Sequence, residues 1–154
     1  YCGRHGATED LPPDIPVRPD QIADALGLGP IAEDCGGAAR PVQRVVDEYQ
    51  QILCLVHDEW GDLVLEKEYW LDRFEPQLVR RVIFRDAHGV VEMTSRLDQY
   101  EPLGPGGPLL PRVMVADWPK TQARMRFRVD KWSPVDQVKP GSIQFATPDE
   151  CIGR

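Results

Sequence analysis

The side chains that most often do chemistry are few and scattered in this chain of 154 residues. His5, His57 and His88 are isolated from one another. His57-Asp58-Glu59 has the residue types for a metal site or an acid–base pair. Adjacent residues at a strand end point to opposite faces, however, so the triplet reads as a strand running into a solvated acidic turn. Ser95, Ser133 and Ser142 lack a nucleophile context. The G-x-S-x-G, H-E-x-x-H, phosphate-loop and dinucleotide-binding glycine patterns are absent. Gly27-Leu28-Gly29-Pro30 stops a helix, because proline stands where a phosphate-binding helix would begin. The expectation is a chain that is not an enzyme and has no metal site and no cofactor.

Cys2, Cys35, Cys54 and Cys151 are widely spaced, and no C-x-x-C occurs. That spacing supports neither a zinc knuckle nor a thioredoxin-type redox pair. An even count in a proline-rich chain beginning on Tyr1 fits a processed, exported protein with up to two disulfides, in any of three pairings. Four reduced thiols packed as small hydrophobes are the alternative.

Charge is unevenly spread. Residues 1–76 carry 6 Lys/Arg against 16 Asp/Glu, residues 77–132 carry 10 against 6, and the whole has a net charge of −7. An acidic chain repels a phosphate backbone, which argues against nucleic acid as a partner. The basic rows after residue 77 suit either a solvated strand face or an anionic partner. Trp60, Trp70, Trp118 and Trp132 fall near strand ends or turns. Such rings could stack on a glycan or a single strand, but the acidity and regular strand positions favour core and rim packing.

The elements that position these residues follow from punctuation and period. At 154 residues with 42% apolar content the chain makes a single domain, 1–154, with one real core. It has no apolar run of about 18 residues and hence no transmembrane segment. Fifteen prolines, about twice the usual ~5%, cut it into short elements. Residues 1–41 are expected to be loop-rich, with a short helix over 19–26 opened by Pro19 and closed by Gly27 or Gly29 before Pro30. An antiparallel sheet is expected over 42–132. Val42–Tyr49 is mixed; Ile52–His57, Leu63–Leu71, Leu78–Arg85, Val90–Tyr100 and Arg112–Trp118 are strands. Asp86-Ala87-His88-Gly89 makes a tight hairpin, and the Gly-Pro-rich stretch from Leu103 to Pro111 is expected to stay out of the ladder. From Ala123 to Lys131, Met125, Phe127 and Val129 alternate with Arg124, Arg126 and Arg128, which predicts the apolar set inward and the arginines outward beside acidic or polar neighbours. Residues 133–154 form an extended tail.

The order of these segments resembles a known family. Tyr69-Trp70-Leu71-Asp72-Arg73, then Phe84-Arg85-Asp86-Ala87-His88-Gly89, then Leu110-Pro111-Arg112-Val113-Met114-Val115, then the alternating Ala123–Asp130 strand are similar to the C-terminal half of the bacterial lipoprotein-carrier family. That family includes the periplasmic carrier LolA, its outer-membrane receptor LolB and related lipoproteins. The likeness covers about residues 62–148; the long amphipathic helix and further strands that open family members have no counterpart in residues 1–50, so the chain is read either as a piece of a longer protein or as a divergent member with a reduced barrel. The elements themselves add up to a mainly β (α+β) fold of six to seven antiparallel strands with one short helix packed on it. The resemblance implies that this sheet is curved and incompletely closed, with helices covering its open side. It also implies a bacterial cell-envelope protein, periplasmic or outer-membrane-anchored, that binds a lipid or acylated partner in an apolar cavity. Leu65, Phe84, Met93, Val115, Met125 and Phe127, from the apolar strand faces, are the expected ligand-binding residues. The alternative is a structural or protein-interaction β domain whose concave face is simply its core.

Overall fold

A computed structural model describes residues 25–27, 31, 35 and 40–133 of the chain. Seven strands follow one another as a meander: β1 (Val42–Val46), β2 (Tyr49–His57), β3 (Leu63–Asp72), β4 (Val79–Arg85), β5 (Val91–Pro102), β6 (Leu109–Trp118) and β7 (Ala123–Arg128). Each pairs antiparallel with the next, in the order β1-β2-β3-β4-β5-β6-β7, and β1 does not return to pair with β7. The sheet is therefore open and the fold mainly β, as expected. Most of the segment 1–41, including most of the helix expected over 19–26, and the tail after residue 133 lie outside the described residues.

Local chemistry explains the turns. Asp86 accepts hydrogen bonds on its carboxylate from the backbone N–H groups of His88 and Val90, at 3.0 and 2.9 Å. Gly89, at φ +75°, takes the left-handed position that closes this turn. Asp58 does the same for Trp60 and Asp62 between β2 and β3. Register shifts at Cys54/Leu55, Trp70/Leu71 and Phe84/Arg85 mark bulges, which bend the strands they interrupt.

Three boundary expectations need correction. The mixed segment Val42–Tyr49 is β1, a turn at Asp47-Glu48, and the first residue of β2. Leu109, Leu110 and Pro111 join the ladder, pairing with Pro102, Glu101 and Tyr100. Pro111 has no N–H to give to the ladder, and its carbonyl accepts from Trp132 Nε1 at 3.0 Å. The last strand ends at Arg128; beyond it the Val129 N–H donates to the Arg112 carbonyl at 2.8 Å, and the Arg112 guanidinium donates to the Val129 and Asp130 carbonyls at 2.9 and 3.0 Å.

One face of the sheet, here called the inner face, carries the core. A row of partners crosses it from Ile52 through Tyr69, Val82, Ser95 and Ala116 to Met125. Cys54, Phe84 and Met93 lie in the next row, with Leu97 and Met114 paired on the other side. Ala25 is buried in this cluster, and Ile31 and Cys35 pack against it. Among the described residues, that upstream segment is held on the sheet by a disulfide between Cys35 and Cys54 and by a hydrogen bond from the Ser95 hydroxyl to the Ala25 carbonyl. The cysteine question is thereby settled for this pair, while Cys2 and Cys151 lie outside the described residues.

Candidate apolar face and its polar reverse

Strand alternation sorts the six expected ligand-binding residues between the two faces. Phe84 and Met93 are direct cross-strand partners on the inner face, 3% and 1% exposed. Leu65 shares that face through its alternation with Lys67 and Tyr69 and is half-buried. Met125 and Phe127 are also on it, opposite Ala116 and Met114, but they are 39% and 43% exposed. The inward direction expected for them holds, whereas full burial does not. Among the described residues β7 pairs with β6 alone, so the outermost strand has neighbours on one side only.

Val115 is separated from the other five. It stands between Arg96 and Arg126 on the outer face, and the inner positions of β6 belong to Met114, Ala116 and Trp118. The reason is that β6 is apolar on both faces, so its sequence does not show which set turns inward. Val113, expected on the apolar face with Val115, lies outward as well, opposite Asp98 and Arg128.

A cation, Lys67, stands in the inner-face row between Cys54 and Phe84. Lys67 Nζ lies 5.8 Å from the Tyr69 ring centroid and 5.5 Å from that of Phe84, close enough for attraction to both rings.

Polar groups organise the outer face. Glu68 on β3 is 4% exposed. It accepts from Gln51 Nε2 at 2.7 Å, from Trp70 Nε1 at 3.3 Å and from Arg85 Nε at 2.8 Å. Arg44 in turn donates to the Gln51 side chain. These partners compensate the desolvation of Gln51 and Glu68. The alternation of the strands does not reveal this network, since it marks Gln51 and Glu68 as ordinary solvated positions. Farther along, Asp117 accepts from Arg96 Nη2 at 2.7 Å and from Arg124. The Arg124 and Arg96 guanidinium groups hold the Asp117 carboxyl below its ordinary value. Arg124 thus has the acidic neighbour expected of it, but the partners of Arg126 and Arg128 are Val115 and Val113.

A groove of about 400 Å³ near the β2–β3 and β4–β5 turns is lined by His57, Asp58, Glu66, Arg85, Asp86 and Glu92 among others. His57 Nδ1 bonds the Gly61 carbonyl at 2.9 Å, so its role there is to hold the turn. Among the described residues no three His, Cys, Asp or Glu side chains are grouped to hold a metal ion. No described helix is long and apolar enough to cross a membrane.

No family model matches the sequence, and no curated protein matches it. Among solved structures the fold is similar to a crystal structure of an outer membrane lipoprotein-sorting protein domain from Vibrio parahaemolyticus, at a TM-score of 0.50 and 11% sequence identity. The match takes in 66% of this chain and 44% of that one, so the chain spans less than half of its neighbour's length. At this identity the likeness is one of fold alone.

Proposed function

We propose that the chain is a non-enzymatic protein of the bacterial cell envelope, periplasmic or outer-membrane-anchored, that binds a lipid or an acylated partner on the inner face of its open sheet, as a lipoprotein carrier does. The observation that carries this reading is the exposure of Met125 and Phe127 on the same face as the buried core. Two large apolar side chains at an outer strand are costly to leave in water, and an acyl chain laid across β7 would cover them. Phe84, Met93 and Leu65 are the contacts such a chain would reach farther in, across β6 and β5. Val115 leaves the proposed set, since it belongs to the other face. The fold likeness to a lipoprotein-sorting domain supports the same reading.

A second reading is a protein-interaction domain without a ligand cavity, and the tight burial of Val82, Phe84 and Met93 favours it. Titration of the full chain with a fluorescent long-chain fatty acid separates the two. Saturable binding that weakens about tenfold or more in Met125→Ser/Phe127→Ser supports the acyl-binding reading, since each buried side chain contributes at least that factor. Absence of saturable binding, or binding equal in the variant, overturns it in favour of the second.

A further inference from the structure

The outer face bears a second feature, built on the other side chains of β7. Arg81, Arg96 and Arg126 lie in one cross-strand row, with Arg81 directly opposite Arg96 and only Val115 between Arg96 and Arg126. Arg124 and Arg128 flank Arg126 on the same strand. All five are exposed. Asp117 and Asp98 lie among them; Asp117 is already shared between Arg96 and Arg124, and Asp98 is 3.9 Å from Arg80. Arg126 and Arg128 have no ion pair among the described residues, and Arg81 stacks its guanidinium 5.4 Å from the Trp70 ring centroid. Like charges placed directly opposite destabilise a sheet. A chain of net charge −7 nevertheless gathers this positive face on its last four strands.

We infer that β7 and the arginine row form a docking surface for an anionic lipid bilayer. Charge complementarity alone would suit any polyanion, but the strand carries a second signal. The same six residues that present Arg124, Arg126 and Arg128 on one flank present half-exposed Met125 and Phe127 on the other. A bilayer offers anionic phosphates and hydrocarbon in adjacent layers, which an acidic protein surface or a nucleic acid does not. With β7 laid along the membrane plane, Met125 and Phe127 enter the acyl boundary while the long arginine stems keep their guanidinium groups at the phosphates. The outer edge of β7, which pairs with no strand among the described residues, then lies in the hydrated headgroup layer, where water satisfies it. This inference shares Met125 and Phe127 with the acyl-binding reading and is told apart from it by the arginines, which lie on the opposite face.

The test is flotation of the full chain with vesicles of phosphatidylcholine, with and without phosphatidylglycerol. The chain should bind only the anionic vesicles and should be released by high salt. Arg126→Ser/Arg128→Ser should weaken that binding about tenfold or more, since each near-surface arginine contributes several-fold. Met125→Ser/Phe127→Ser should leave binding that high salt abolishes more readily. The fluorescent fatty acid titration, run without vesicles, should be the same for Arg126→Ser/Arg128→Ser as for the unaltered chain. That arm reads the acyl site alone, so failure of either reading is visible separately. Equal binding to neutral and anionic vesicles, no vesicle binding, or an unaffected arginine variant overturns the inference. So does capture by soluble polyglutamate without vesicle binding, which assigns the face to an acidic protein instead.

Discussion

The hydroxyl of Ser95, in the middle of β5, donates a hydrogen bond at 2.5 Å to the backbone carbonyl of Ala25, 70 residues earlier in the chain. Ser95 is wholly buried and Ala25 nearly so, so neither group has water to fall back on. Ser95→Ala should therefore cost about 1–3 kcal/mol, the penalty for a buried carbonyl left unpaired. Urea unfolding of the variant measures it, and a loss near zero would show that the carbonyl finds another partner.

The Cys35–Cys54 disulfide fastens the same upstream segment to the inner face, closing a loop with a sequence separation of 19. Constraint of the unfolded chain by a loop of this size corresponds to roughly 3 kcal/mol. Unfolding with and without a reductant should differ by about that amount. Cys35→Ala/Cys54→Ala should unfold like the reduced protein and respond little to the reductant.

Phe84 and Phe127 share a face but not an environment, being 3% and 43% exposed. Phe84→Ala should cost about 3–5 kcal/mol, as expected for emptying a packed site. Phe127→Ala should cost less than about 2 kcal/mol, because much of the ring is already in water. Equal losses would mean that β7 is covered as thoroughly as β4.

Glu68 is the centre of the outer-face network, and its removal leaves the partly buried Arg85 without its carboxylate. Glu68→Ala should destabilise by roughly 3 kcal/mol. Glu68→Ala/Arg85→Ala should lose less than the sum of the two single changes, since the second substitution removes the stranded charge. Strict additivity in this cycle would show that the two side chains act independently.

The Asp86 carboxyl is held down to about 2, chiefly by the Lys120 ammonium at 2.8 Å and then by the Val90 N–H. A carboxyl whose folded value lies below its unfolded one contributes stability above about pH 4, and that contribution is lost as pH falls toward 2. Asp117 acts in the same direction through Arg124 and Arg96. Unfolding followed between pH 5 and 2 should therefore show falling stability. Lys120→Gln should move the Asp86 titration, read from its carboxyl NMR shift, back toward the ordinary value. No movement would assign the depression to the turn N–H groups alone.

The alternation of apolar and charged residues from Ala123 onward was enough to set which side of β7 faces the core, because a one-residue slip would turn its arginines inward. Turn chemistry at Asp58 and Asp86 likewise marked two hairpins, since a carboxylate beside free backbone N–H groups favours a turn wherever it occurs. Local pattern thus determined an antiparallel, mainly β chain of six or seven strands. It did not determine the facing of β6, where Val113 and Val115 compete with Met114 and Ala116 on equal apolar terms and pairing with β5 and β7 decides. Nor did it determine which of three cysteine pairings forms, because the Cys35–Cys54 bond depends on where a distant segment crosses the sheet. The exposure of Met125 and Phe127 and the burial of Glu68 are tertiary facts of the same kind. The period of a strand specifies which way a side chain points, but only its neighbours in space determine whether anything is there to cover it.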